Sequence, residues 1–166
     1  MTNQDCVLDL HGEPISPLVV VLWAEDGTRS VHEWPSYWAL GIAYWQAHAT
    51  WVAAASEVSL PGTADPTDDF VWQAVTGCAR DALAVVRALI ETAPDDPAIE
   101  FIGAGALEGL VRDDERLDDG GIDLLTDLAA TNARYRTALA NVWIGPDTEH
   151  RRTERLRALG ARRPGE

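Results

Sequence analysis

One apolar stripe constrains this chain more than any other feature. Over residues 68–93, DDFVWQAVTGCARDALAVVRALIETA, the residues Val71, Val75, Cys78, Ala82, Val85 and Leu89 recur at the steps of an α-helix. Trp72, Ala79, Leu83, Val86 and Ile90 widen the stripe along its flank. Thr67 and Asp68 stand where a helix cap belongs, and the two prolines of PDDP, 94–97, end the pattern. A stripe that wide has to be covered, and both neighbours offer helical cover. Upstream, SYWALGIAYWQAHATWVAAASE, 36–57, puts Tyr37, Gly41, Tyr44, His48 and Trp51 on one face. Trp38, Ile42, Trp45, Ala49 and Val52 share the adjacent face. Downstream, short helical patterns at 98–112, 122–130 and 132–143 are parted by polar turns.

These patterns predict a mainly α fold, a compact stack of short antiparallel helical hairpins. Helices are expected over 37–55 and 70–92, with no central parallel sheet. Residues 1–145 read as a single helical domain and 146–166 as an Arg-rich C-terminal helix or tail. That tail carries a thin apolar face, so fraying is expected at its end. Two readings compete over 17–34. Ser16 can cap an extra helix with Pro17 at its first position and Gly27 as its stop. Alternatively, LVVVLWA and TRSVHEW form a β-hairpin around Asp26-Gly27, and the β-branched run tips the balance slightly that way.

EFIGAGALEGLVRDD, 100–114, sets three glycines inside a helical pattern, where each costs about 1 kcal/mol relative to Ala. Ile99, Ile102, Ala106 and Leu110 share one face with Gly103; Gly105 lies opposite, beside Phe101 and Glu108. Glycines on several sides fit a break at Gly103–Gly105, with a second helix starting at Ala106. Glu108 then falls in a first turn, where a carboxylate suits the helix dipole. The competing use of the same glycines is a close backbone approach to a ligand.

FIGAGALEGLV, preceded by ALIETAPDDPA and followed by YRTALANVW, resembles a family of small bacterial helical domains of unknown function. Its pattern is a helix, an Asp-Asp turn, a G-x-G-P-L-E-like segment and a short helix ending in Val-Trp. The resemblance covers about 68–143, with Ala106 where Pro is expected, and Gly105, Glu108 and Trp143 match it. It implies a mostly helical fold and brings no activity.

Charge narrows the partners. The formal net charge is −14, and every one of the thirteen basic residues is Arg. Acids crowd the middle of the chain and arginines its end. A surface this negative argues against binding a nucleic-acid backbone and favours a basic protein. The longest strongly apolar run, LVVVLWA, is far too short to span a membrane, and Cys6 and Cys78 form no CxxC pattern. A reducing, cytoplasmic setting is the simplest expectation. No cofactor or metal is expected. His11, His32, His48 and His150 lack metal-ligand spacing, and no phosphate-binding loop or nucleophile motif is present.

Two function classes follow. The first is an acidic protein–protein interaction domain, in concrete form an immunity protein or antitoxin that covers a basic partner with carboxylates. Its contact residues would be Asp95 and Asp96 in one turn and Asp113, Asp114, Glu115, Asp118 and Asp119 in the next, with Trp38 and Trp45 as aromatic anchors. A second helix starting at Ala106 would bring both turns to the rim of one face. The other class is a small enzyme or ligand-binding domain with a cleft lined by Trp38, Trp45, His48 and Glu108 and backed by Gly105.

Overall fold

Two helices make the seam around which the rest is built. In the computed structural model, α1 spans Tyr37–Ala54 and α2 spans Ala79–Thr92. The structure describes residues 18–23, 29–54, 67, 71, 74–75, 79–112, 117–145 and 150–162. Val71 and Val75 are helical and buried, in keeping with the stripe that continues into α2, as is Ala74 beside them; Thr67, expected as a cap, is itself helical and buried. The helices pack closely because Gly41 lacks a side chain: a Cβ there would overlap Thr92 Oγ1 and lie 2.9 Å from the Ala88 carbonyl oxygen. Leu40, Ala82, Val85, Val86, Leu89 and Ile90 are buried around this seam. Ser36 Oγ accepts the Ala39 N–H at 3.1 Å and so caps the start of α1.

The chain at 17–34 resolves as the hairpin. Strand β1, Leu18–Trp23, pairs antiparallel with β2, Arg29–Trp34, with Leu18 opposite Trp34 and Val21 opposite Val31. An isolated two-stranded ribbon is marginal in water. Burial of Leu18 and Trp34 ties the open end of this one to the core. The Asp26-Gly27 turn lies outside the described residues.

Beyond α2 the expected break is absent. Helix α3, Asp96–Ile102, runs into a π-helical turn, Gly103–Leu107, and then into α4, Glu108–Val111, with right-handed helical backbone throughout. The Glu108 N–H reaches back to the Gly103 carbonyl, the five-residue step of a π-turn. The extra residue has a packing reason. A regular helix would follow buried Ile102 with Ala106 four residues on. The π-turn instead buries Leu107, five residues on, and leaves Ala106 half-buried. Gly103 gives the second reason, since a Cβ there would overlap the Ala138 carbonyl oxygen. Ala138 belongs to α6, Ala133–Ala140, which crosses the segment at that point.

Helix α5, Asp119–Thr131, precedes α6, and α7, His150–Ala158, follows it. Short polar caps start these helices: Asp118 Oδ1 accepts from Gly121 N at 2.8 Å, and Asn132 Oδ1 from Arg134 N at 2.9 Å. The tail docks on the body through buried Arg152, Thr153, Leu156 and Ala161. It ends in a Schellman turn. Gly160 sits at φ 105°, Ala161 N–H bonds the Leu156 carbonyl at 3.0 Å, and Gly160 N–H bonds that of Arg157 at 3.0 Å. The returning chain lies beside 142–144, with Ile144 N–H to Arg162 O at 2.8 Å and Arg162 N–H to Val142 O at 2.9 Å. Apart from this one-residue parallel bridge, the described residues hold no sheet but the hairpin.

Candidate interaction surface

Three of the seven acids expected to face a partner, Asp95, Asp118 and Asp119, are used by the fold itself. Asp95 Oδ1 accepts the Ala98 N–H at 3.0 Å and starts α3, as Asp118 starts α5. Asp96 is exposed in the first turn of α3, where the helix dipole favours a carboxylate. Asp119 takes Arg155 Nη1 at 2.8 Å, and the other arm of the same guanidinium reaches Asp123. Asp113, Asp114 and Glu115 lie outside the described residues. Residues 96–111 form one continuous helix roughly 24 Å long. The break at Ala106 that would bring both turns to one rim is absent.

Glu108 is placed otherwise than as a first-turn residue. With Leu107 helical before it, there is no helix start for its charge to meet. Its carboxylate instead bridges two segments: Oε2 accepts the Trp143 backbone N–H at 3.0 Å, and Oε1 pairs with Arg112 at 3.1 Å. Arg112 in turn lies over Gly145, with Nη2 2.8 Å from the point a Cβ would take.

His48 stands in a different setting. Its ring stacks on Tyr44 at 4.2 Å, meets Trp45 edge-on at 6.0 Å and Phe101 at 5.6 Å. Trp45 is turned inward, its Nε1 donating to the Leu89 carbonyl of α2 at 2.9 Å. Trp38 is turned outward and is 54% exposed, with Ile42 one turn on at 41%. Phe101 on α3 is 53% exposed, and beside it Gly105 opens onto solvent, since a Cβ there would meet nothing within 4 Å. The structure thus brings Trp45 and His48 together with Phe101 and commits Glu108 to Trp143 and Arg112. Among the described residues, no group of His, Cys, Asp and Glu could hold a metal ion. No described helix is long and apolar enough to cross a membrane.

The residues that sequence reasoning passed over are arginines. Helix α2 has no basic residue in its last turn. Arg134 of α6 supplies one from outside: Nε donates to Ile90 O at 2.9 Å and Nη2 to Ala93 O. Arg136 Nη1 donates to Ala129 O near the end of α5 at 2.6 Å. Arg152, only 6% exposed, donates from Nη1 to Val111 O at 3.3 Å and from Nη2 to Leu117 O. Three guanidiniums thus satisfy carbonyls that helix ends leave without a partner. Tyr135 adds a buried side-chain contact, its hydroxyl donating to Glu91 Oε1 at 2.6 Å. Burial first and this bond second push the Tyr135 hydroxyl well above its ordinary pKa.

No protein-family model matches the chain, and neither a curated protein nor a solved structure shows significant similarity to it.

Proposed function

We propose that the chain is an acidic protein–protein interaction domain for a basic partner, working by binding in the cytoplasm, with an immunity protein or antitoxin as its concrete form. One observation carries the reading. About a quarter of the chain is charged, yet all eighteen residues of α1 are uncharged, and its outer stripe leaves Trp38 and Ile42 open to solvent. A solvent-facing helix surface normally carries charge. An exposed Trp38–Ile42 pair on a strongly negative protein combines anchors for contact with a field for steering. The field of a −14 protein acts at long range even where individual acids serve as caps.

The test is association kinetics with the product of the adjacent gene at low and high salt. Salt should slow association and leave dissociation nearly unchanged, because outlying charges mainly steer. A salt-independent association rate, or no binding, overturns the reading.

A further inference from the structure

Resting on that reading, we infer that the partner docks an amphipathic basic helix across α1 and the π-turn, over Trp38, Ile42 and Phe101. Helix spacing and ring contacts link its parts. Trp38 and Ile42 lie four apart on α1, Trp45 follows three on, and the His48–Phe101 contact carries the face over to α3. Around Phe101 the helical neighbours Pro97, Ala104 and Gly105 are all exposed and uncharged. Among the described residues, a Cβ at Gly105 would meet nothing within 4 Å, whereas one at Gly41 or Gly103 would overlap a neighbour. A helix crossing there would come close to the backbone.

Acids border this apolar strip. Glu33 is exposed just before α1. Thr92 packs on Gly41, so the turn after α2 brings exposed Asp95 and Asp96 to the same end of α1. Glu100 is exposed next to Phe101. Arg134, close to that turn, has its guanidinium on the Ile90 and Ala93 carbonyls. A second copy of this chain would set these carboxylates against their own kind, at −14 per copy. A helix with leucines on one side and arginines or lysines beside them meets both the apolar strip and its border.

The probe is a synthetic helix of about twenty residues, leucines on one face and arginines elsewhere, with a twin carrying Glu for Arg. Fluorescence polarisation of the labelled peptides is read against the full chain. The Arg peptide should bind saturably, and the Glu twin should not. Raising salt from about 50 to about 300 mM should weaken the Arg peptide roughly tenfold. Trp38→Ala and Phe101→Ala should each weaken it roughly tenfold, with circular dichroism unchanged. Leu124→Ala, at an exposed leucine on α5, should leave it unaffected. Equal binding of the twin, no binding of the Arg peptide, or indifference to both aromatic variants overturns the inference. So does self-association that Phe101→Ala abolishes. Salt-dependent binding of the neighbouring gene product that ignores Trp38 and Phe101 would remove this docking face and keep the wider reading. No binding of that product would remove the wider reading first.

Discussion

Helices α1 and α7 invert what their compositions promise. The first has no charged residue and looks made for a core, yet Trp38 and Ile42 on its outer stripe face solvent. The second is crowded with arginine and looks made for water, yet Arg152 is buried and Leu156 is fully enclosed. Hydrophobicity alone would exchange their places. What separates them is hydrogen bonding. Arg152 enters because Val111 and Leu117 present carbonyls that would otherwise go unpaired. Trp45 is drawn inward by a carbonyl in the same way, whereas Trp38, on the same stripe, stays outside. Burial here follows the demands of helix ends as much as the apolar pattern.

That contrast is most sharply broken at Arg152. Arg152→Met should cost about 3 kcal/mol in urea unfolding, since it strands two buried carbonyls and frees α7. Arg152→Lys should recover less than half, because a flexible ammonium lacks the rigid planar fork that meets both acceptors. Full recovery by Lys would show that charge, and not the fork, holds the tail. The helix over 96–111 links the two regions, touching His48 of α1 through Phe101 and Arg152 of α7 through Val111. Gly103→Ala on it should cost about 1–3 kcal/mol, because the backbone of α6 must move away. A neutral result would mean the crossing is looser than the geometry implies.

Glu108→Ala should cost about 0.5–1 kcal/mol by removing the acceptor that ties the Trp143 N–H beside the segment that pairs with the tail. Glu108→Gln keeps an acceptor and should cost less than half as much. Equal losses would shift the weight onto the exposed Arg112 pair. Gly105→Ala should raise stability by about 0.5–1 kcal/mol in the same assay, the reverse of Gly103→Ala two residues away. The smallest effect belongs to α1: Trp38→Ser should change stability by no more than about 0.5 kcal/mol. A larger loss would place Trp38 in the fold and not on its docking surface.

The helical periods at 37–54 and 79–92 were legible in the sequence because each depends on its own spacing. The hairpin was legible only in part, because the β-branched run and the Ser-Pro cap stood near balance. The uninterrupted helix through Gly103 was not, because the reason for that glycine is the Ala138 carbonyl thirty-five residues later. Tail docking was equally hidden, since an arginine aimed at a distant carbonyl leaves no periodic trace. One local sign was present: Gly160, between apolar Leu156 and Ala161, forms a C-terminal stop. At the candidate surface, periodicity gathered Trp38 and Trp45 on one stripe but could not say which would point outward.

Capping helices from a distance also shapes how the molecule comes apart. Arg134 closes the end of α2 from 44 and 41 residues away, and Arg152 reaches Val111 and Leu117 across 41 and 35. The ends of α2 and α4 are thus finished by residues far along the chain and not by their own neighbours. Opening α6 leaves the last turn of α2 incomplete, and lifting α7 does the same to the end of α4. Local fraying is thereby converted into collective opening. In native-state hydrogen exchange the slow amides of α2, α4, α6 and α7 should fall into one isotherm, the mark of a single foldon spread over the whole chain.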